Sequence, residues 1–261
     1  MKHFPYHRLM AIVPAIILSG CAGTNKEAAT DNQPQWSPPI SIEESRISTG
    51  SQVCARYNEA VTTDTHVWEI SQSMQEYTIG YVIGLFEGQG RNLPSTDANI
   101  SKIHQLFDTT CIRSPRFTIQ QAADSVGQIL LQQLANVRFR KPAPSPGTTS
   151  AMECGYYIDN RNNSESAAVI ARHAAHNWAD GYVTALLESA HRIFEPNANK
   201  ARVLQALETT CTDNPRLTIQ DAAETVAKPL IASASRKRPG SGLYNTPHDE
   251  DMLPRGNTVV E

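Results

Sequence analysis

The feature that most constrains this fold is that the chain is written twice, with a matching pair of cysteines in each copy. Thr109-Thr110-Cys111, then Pro115-Arg116-Phe117-Thr118-Ile119-Gln120, returns as Thr209-Thr210-Cys211, then Pro215-Arg216-Leu217-Thr218-Ile219-Gln220. Eleven of the eighteen positions from 109 to 126 are identical 100 residues later, too many to be chance. Cys54 and Cys154 keep that offset, whereas Gly80-Tyr81-Val82 returns one residue out of step as Gly181-Tyr182-Val183. A period this long marks a duplicated domain rather than a solenoid. Four cysteines allow three pairings. Joining Cys54 to Cys111 and Cys154 to Cys211 treats both copies alike and lets each fold alone. Closing a loop of that length contributes about 4 kcal/mol by restricting the unfolded chain. The alternative is zinc held by four thiolates, but there is no CxxC knuckle.

Each copy reads as helical. In the second, Val169, Ile170, Trp178, Tyr182, Val183, Leu186, Leu187 and Ile193 follow a period near 3.6, predicting a helix over 167–193. In the first, Trp68, Ile70, Met74, Tyr77, Ile79, Val82, Ile83, Leu85 and Phe86 mark its counterpart. A second helix runs to each later cysteine, over 100–111 and 201–211, until Ser114-Pro115 or Asn214-Pro215 breaks it. Thr118 and Thr218 then cap a third helix, ending near Val137 and Ser233. Gln121 completes a capping box, and Asp221 a weaker variant. No alternating strand pattern competes. The expected fold is all-α: two tandem small disulfide-closed helical bundles, each of three to four helices. Gly80 and Gly181 fall inside helices, where glycine costs about 1 kcal/mol relative to alanine. Their recurrence points to tight helix–helix approach, beside the disulfide.

The fifth cysteine belongs to another device. Lys2 and Arg8 precede an apolar run, Leu9 to Leu18, which is too short to span a bilayer. Leu18-Ser19-Gly20-Cys21 follows, and resembles the lipobox of bacterial lipoproteins. That resemblance implies cleavage before Cys21 and acylation of Cys21 with three chains, more than stable anchoring needs. Ala22, rather than Asp, follows the lipidated residue and resembles the outer-membrane default. The organisation is then a signal peptide over 1–20, a Pro-containing polar tether over 21–50, helical domains over 51–141 and 151–235, a Pro-rich linker over 142–150, and a disordered tail over 236–261. The expected location is the cell envelope, lipid-anchored and facing the periplasm, which is oxidising and suits the bridges. The membrane is reached through the lipid. A net charge of −3 and a pI of about 6.2 argue against a nucleic-acid surface.

A cysteine-closed helical unit with Gly-Tyr-Val in a long helix, a helix ending in Cys, then Asn/Ser-Pro and Thr-Ile-x-x-Ala-Ala resembles the HdeA-type acid-stress chaperones. It is similar also to the small immunity proteins that neutralise peptidoglycan-amidase effectors. About 85 residues of each half carry the likeness. It implies a non-enzymatic protein-binding role, first that of a chaperone opened by acid, with a specific immunity or inhibitor protein or a secretion-system accessory as the alternative. Family members are usually single soluble domains, so duplication and lipidation are departures.

Chemistry is sparse. His173, His176 and Asp180 share a helical face, with Glu188 and His191 two turns on, a spacing compatible with a metal site. The plainer reading is the solvated side of an amphipathic helix, since Gln72, Gln75 and Ile79 stand at the matching turns of the first copy. No Gly-x-Ser-x-Gly elbow, phosphate loop or HExxH occurs. Arg116 and Arg216 are expected to hold helix C-terminal carbonyls or a carboxylate, and Arg236-Lys237-Arg238 is a charge run. Neither an enzyme nor a cofactor is expected, and no metal is assigned.

Overall fold

The computed structural model describes residues 48–62, 68–137, 144–192 and 196–235. Cys21, the signal peptide, most of the tether and the tail from 236 lie outside the described residues. Within them the protein is helical, with two isolated bridges in place of strands. The first copy contains α1 (Cys54–Thr62), α2 (Trp68–Gly88), α3 (Asp97–Arg113) and α4 (Ile119–Gln133). The second repeats them as α5 (Cys154–Asp159), α6 (Ser166–Ser189), α7 (Pro196–Asp213) and α8 (Ile219–Ser233). Short 3-10 turns, Thr49–Ser51 and Thr149–Ala151, precede α1 and α5.

Local chemistry accounts for the boundaries. Thr118 accepts from Gln121 N–H, and Gln121 answers at Thr118 N–H over 2.9 Å. At Thr218 the reply from Asp221 is longer, 3.5 Å, because aspartate is one methylene shorter than glutamine. Disulfides join Cys54 to Cys111 and Cys154 to Cys211. Each bridge is backed by two main-chain bonds: Cys54 N–H to Phe117 O and Ile119 N–H to Gln52 O, repeated by Cys154 with Leu217 and Ile219 with Met152. The loops close identically because the same residues close them. Helices α2 and α6 end in the same way too, with Gly90 and His191 in left-handed conformation (φ 67° and 56°) and Arg91 and Arg192 N–H returning to Phe86 and Leu187.

The two copies do not pack as separate bodies. Helix α2 lies along α6 more extensively than any other pair of elements, and one continuous apolar cluster draws on both copies. Tyr77, Tyr81, Trp178 and Tyr182 are buried along this seam, Tyr77 stacked on Tyr81 and Trp178 on Tyr182. Gly80 and Gly181 are therefore explained by tight approach, but between the copies rather than beside a disulfide. A Cβ at Gly80 would lie well under 3.0 Å from Trp178 O, and one at Gly181 equally close to Tyr77 O. Gly84 repeats the arrangement against Tyr182 O. Residues 48–50, at the end of the expected tether, are buried in the fold, and so is Ser150, at the end of the expected linker. Both segments dock against the opposite copy.

Candidate functional site

The polar chemistry of the molecule collects at the seam, and the repeat places it there twice. Tyr81 and Gln120 of the first copy both donate to Glu188 of the second, Gln120 over 2.6 Å. Reciprocally, Tyr182 and Gln220 of the second copy donate to Glu87 of the first, Gln220 over 3.0 Å. Hydrogen bonds to a charged acceptor contribute roughly 1.5–3 kcal/mol each. These two clusters flank the glycine contact and use residues of the recurring Gly-Tyr-Val and Thr-Ile-Gln motifs. Glu188, a candidate metal ligand by spacing, is thus a half-buried clasp between the copies.

The histidine face is not solvated as the helical wheel suggests. Asp180 is 0% exposed, and accepts from Ser48 Oγ at 3.1 Å. His176 meets Tyr157 Oη at 2.6 Å. Its counterpart one copy earlier is Gln75, which donates to Tyr57 Oη at 2.9 Å. The shared task is to hold a buried tyrosine, and a histidine or a glutamine performs it. The helix is apolar or partnered nearly all round because one face meets its own copy and the opposite face meets the other. His191 is exposed, beyond the end of α6. Among the described residues no three His, Cys, Asp or Glu side chains converge as a ligand set.

The arginines that hold carbonyls are also not those expected. Arg116 and Arg216 are exposed. Instead Arg91 donates to Leu131 O and Leu134 O at the end of α4, and Arg192 to Ala234 O after α8. Their signal in the sequence is the recurrence of Arg at an offset of 101, obscured because Gly90 becomes His191.

Where 48–50 and 148–150 dock, the copies diverge. Thr49 donates to Asn177 at 2.6 Å, and Ser48 to Asp180. Burial pushes the Asp180 carboxyl up to about 6, against the pull of Lys200, itself only 7% exposed. In the equivalent place of the other copy, Thr149 hydrogen-bonds Glu76, and burial raises Glu76 to about 7. Beside Glu76 lies a cavity of about 210 Å³ lined by Ile79, Asp97, Ile100, His104, Trp178 and residues 147–150. A second depression between the first turns of α2 and α6, near Glu69 and His173, holds only about 10 Å³.

These shifts give opposite pH dependences. Glu76 and Asp180 bind protons more tightly folded than unfolded, so the stability they lend is full below about pH 4 and is lost as pH rises through 6 and 7. Burial holds His176 neutral down to about 3, so its contribution is full above about 6.5 and is lost as pH falls towards 3. Glu76→Gln is therefore expected to raise the melting temperature at pH 8, by the equivalent of about 1–3 kcal/mol, and to leave it unchanged at pH 4. Equal effects at both pH values would show that Glu76 is not a buried acid.

The chain matches no known family model, no curated protein and no solved structure.

Proposed function

We propose that this is a non-enzymatic, lipid-anchored protein of the bacterial envelope that binds another protein through a preformed surface at neutral pH. It would act as a specific inhibitor or as an accessory subunit. The lipobox-like leader argues for the location, and the resemblance to HdeA-type chaperones and amidase-immunity proteins argues for a protein as ligand. The observation that favours a preformed surface over an acid-opened one is the seam. Opening would have to part α2 from α6 where main chain touches main chain at Gly80, Gly84 and Gly181. Protonation of Glu76 and Asp180 works against that, because both take up protons inside the closed fold. The copies also differ on the outside. Val53, Val61 and Ile112 are exposed in the first, where the second carries Glu153, Arg161 and Thr212.

One observation supports the acid-opened alternative: His176 is half-buried beside Tyr157 and becomes a liability as pH falls below 6.5. The two readings part in one experiment. Exported protein, followed by near-ultraviolet circular dichroism and a dye for apolar surface, is expected to stay native from pH 7 to about 4. It should capture one partner from solubilised envelopes at pH 7, and lose it on Ile112→Glu. Dye binding that begins above pH 4, with many proteins captured only in acid, would replace this reading with the chaperone.

A further inference from the structure

The two docking places described above are equivalent by the repeat, yet among the described residues only one contains a cation. Offsets of 100 and 101 align α3 with α7 and α2 with α6, so Ile100 corresponds to Lys200, Glu76 to Asn177, Ile79 to Asp180 and Trp178 to Tyr77. In the second copy Lys200 is buried and acts on Asp180, each shifting the other's titration. In the first, a carboxylate is present at Glu76, but isoleucine stands where the lysine would be. The described residues lining the space beside Glu76 include no lysine or arginine; they border about 210 Å³ instead. Asp97 adds a second carboxylate at the exposed rim.

We propose that this cavity binds a primary alkylammonium group, which takes the position that Lys200 fills in the other copy. The group is either a free amine or the side chain of a partner's lysine. The polar atoms around the space fit such a guest. His104 Nε2 is buried and meets no partner, and burial keeps that ring neutral and able to accept. Trp178 is 1% exposed, and its indole N–H is also buried without an acceptor. It is free for an oxygen carried on the same guest. The space exceeds the ~150 Å³ that admits a benzene ring, so it takes an ammonium with a four-carbon stem. Ionised Glu76 is held back only by burial, and an arriving ammonium compensates that cost as Lys200 does for Asp180.

The test uses the exported chain without its leader, titrated at pH 7.5 with n-butylammonium, with n-butanol and with N-acetyl-lysine methylamide. Binding is followed by calorimetry and by amide NMR. Butylammonium is expected to bind at millimolar concentration and to shift residues 76, 100, 104 and 147–150; butanol should bind at least tenfold more weakly. Glu76→Gln should weaken the amine about tenfold. Ile100→Lys installs the cation of the second copy, so it should abolish amine binding and leave the melting temperature equal or higher. If that variant does not fold, Glu76→Gln still decides. N-acetyl-lysine methylamide binding tenfold tighter than butylammonium assigns the site to a partner's lysine; equal or weaker binding assigns it to free amines. Equal affinity for butylammonium and butanol, no shifts at the cavity, or amine binding unaffected by Glu76→Gln would overturn the proposal. The site is independent of the partner-binding reading: capture lost with amine binding intact sinks that reading alone.

Discussion

Alanine at Gly80 and Gly181 together lowers the melting temperature by about 4–8 °C. Each added methyl meets a carbonyl oxygen of the other copy at a distance that real Cβ atoms essentially never show, and neither carbonyl can swing away as a side chain would. Forcing packed backbones apart costs about 1–3 kcal/mol per site, and 1 kcal/mol moves the midpoint by about 2–4 °C in a body of this size. The opposing gain is the helix propensity of alanine over glycine, about 1 kcal/mol per site, which would prevail if the helices stood further apart. Gly127→Ala serves as the control, since its Cβ meets only the end of the Leu85 side chain, which can turn aside. Calorimetry on the double variant checks the result. A midpoint unchanged or raised would mean that α2 and α6 do not meet backbone to backbone.

Removal of a single bridge is expected to lower one cooperative transition of the whole molecule. Cys54→Ala with Cys111→Ala opens a loop whose ends are 57 residues apart, a loss of about 4 kcal/mol in the loop-entropy treatment. Since the apolar cluster runs unbroken through both copies, the core of the second copy is continuous with that of the first. Calorimetry of the variant should therefore show one peak, moved down by about 8–16 °C. Two peaks, one of them unmoved, would show that the copies unfold independently. Removing both bridges costs about 8 kcal/mol, comparable with the entire 5–15 kcal/mol of a typical domain, and that chain is not expected to fold at 37 °C.

Much of this fold is legible in the sequence. The repeat leads to the disulfide pairing; the 3.6-residue period places α2, α3 and their copies, and the caps at Thr118 and Thr218 place α4 and α8, to within a few residues. Two short helices, α1 and α5, leave no mark in the sequence because nine and six residues are too few for a periodic signal. The seam was legible only in part. Gly80 and Gly181 announced a close approach, but a helix buried on two sides has no polar stripe, so periodicity cannot say what approaches it. The same ambiguity made His176 and Asp180 look solvated. The clasps at Glu87 and Glu188 join residues 68 to 133 positions apart, a separation that no local pattern encodes. The comparison that would have found them is between copies, since Glu87, Tyr81 and Gln120 all recur as Glu188, Tyr182 and Gln220.

When identical subunits self-associate about a two-fold axis, every substitution alters both sides of the contact at once. Joining the two sides in one polypeptide lifts that restriction. Position 100 is isoleucine where position 200 is lysine, and position 90 is glycine where 191 is histidine. A contact born symmetric was in this way free to become a fixed scaffold at one end and a specialised recess at the other, without either change having to be tolerated twice.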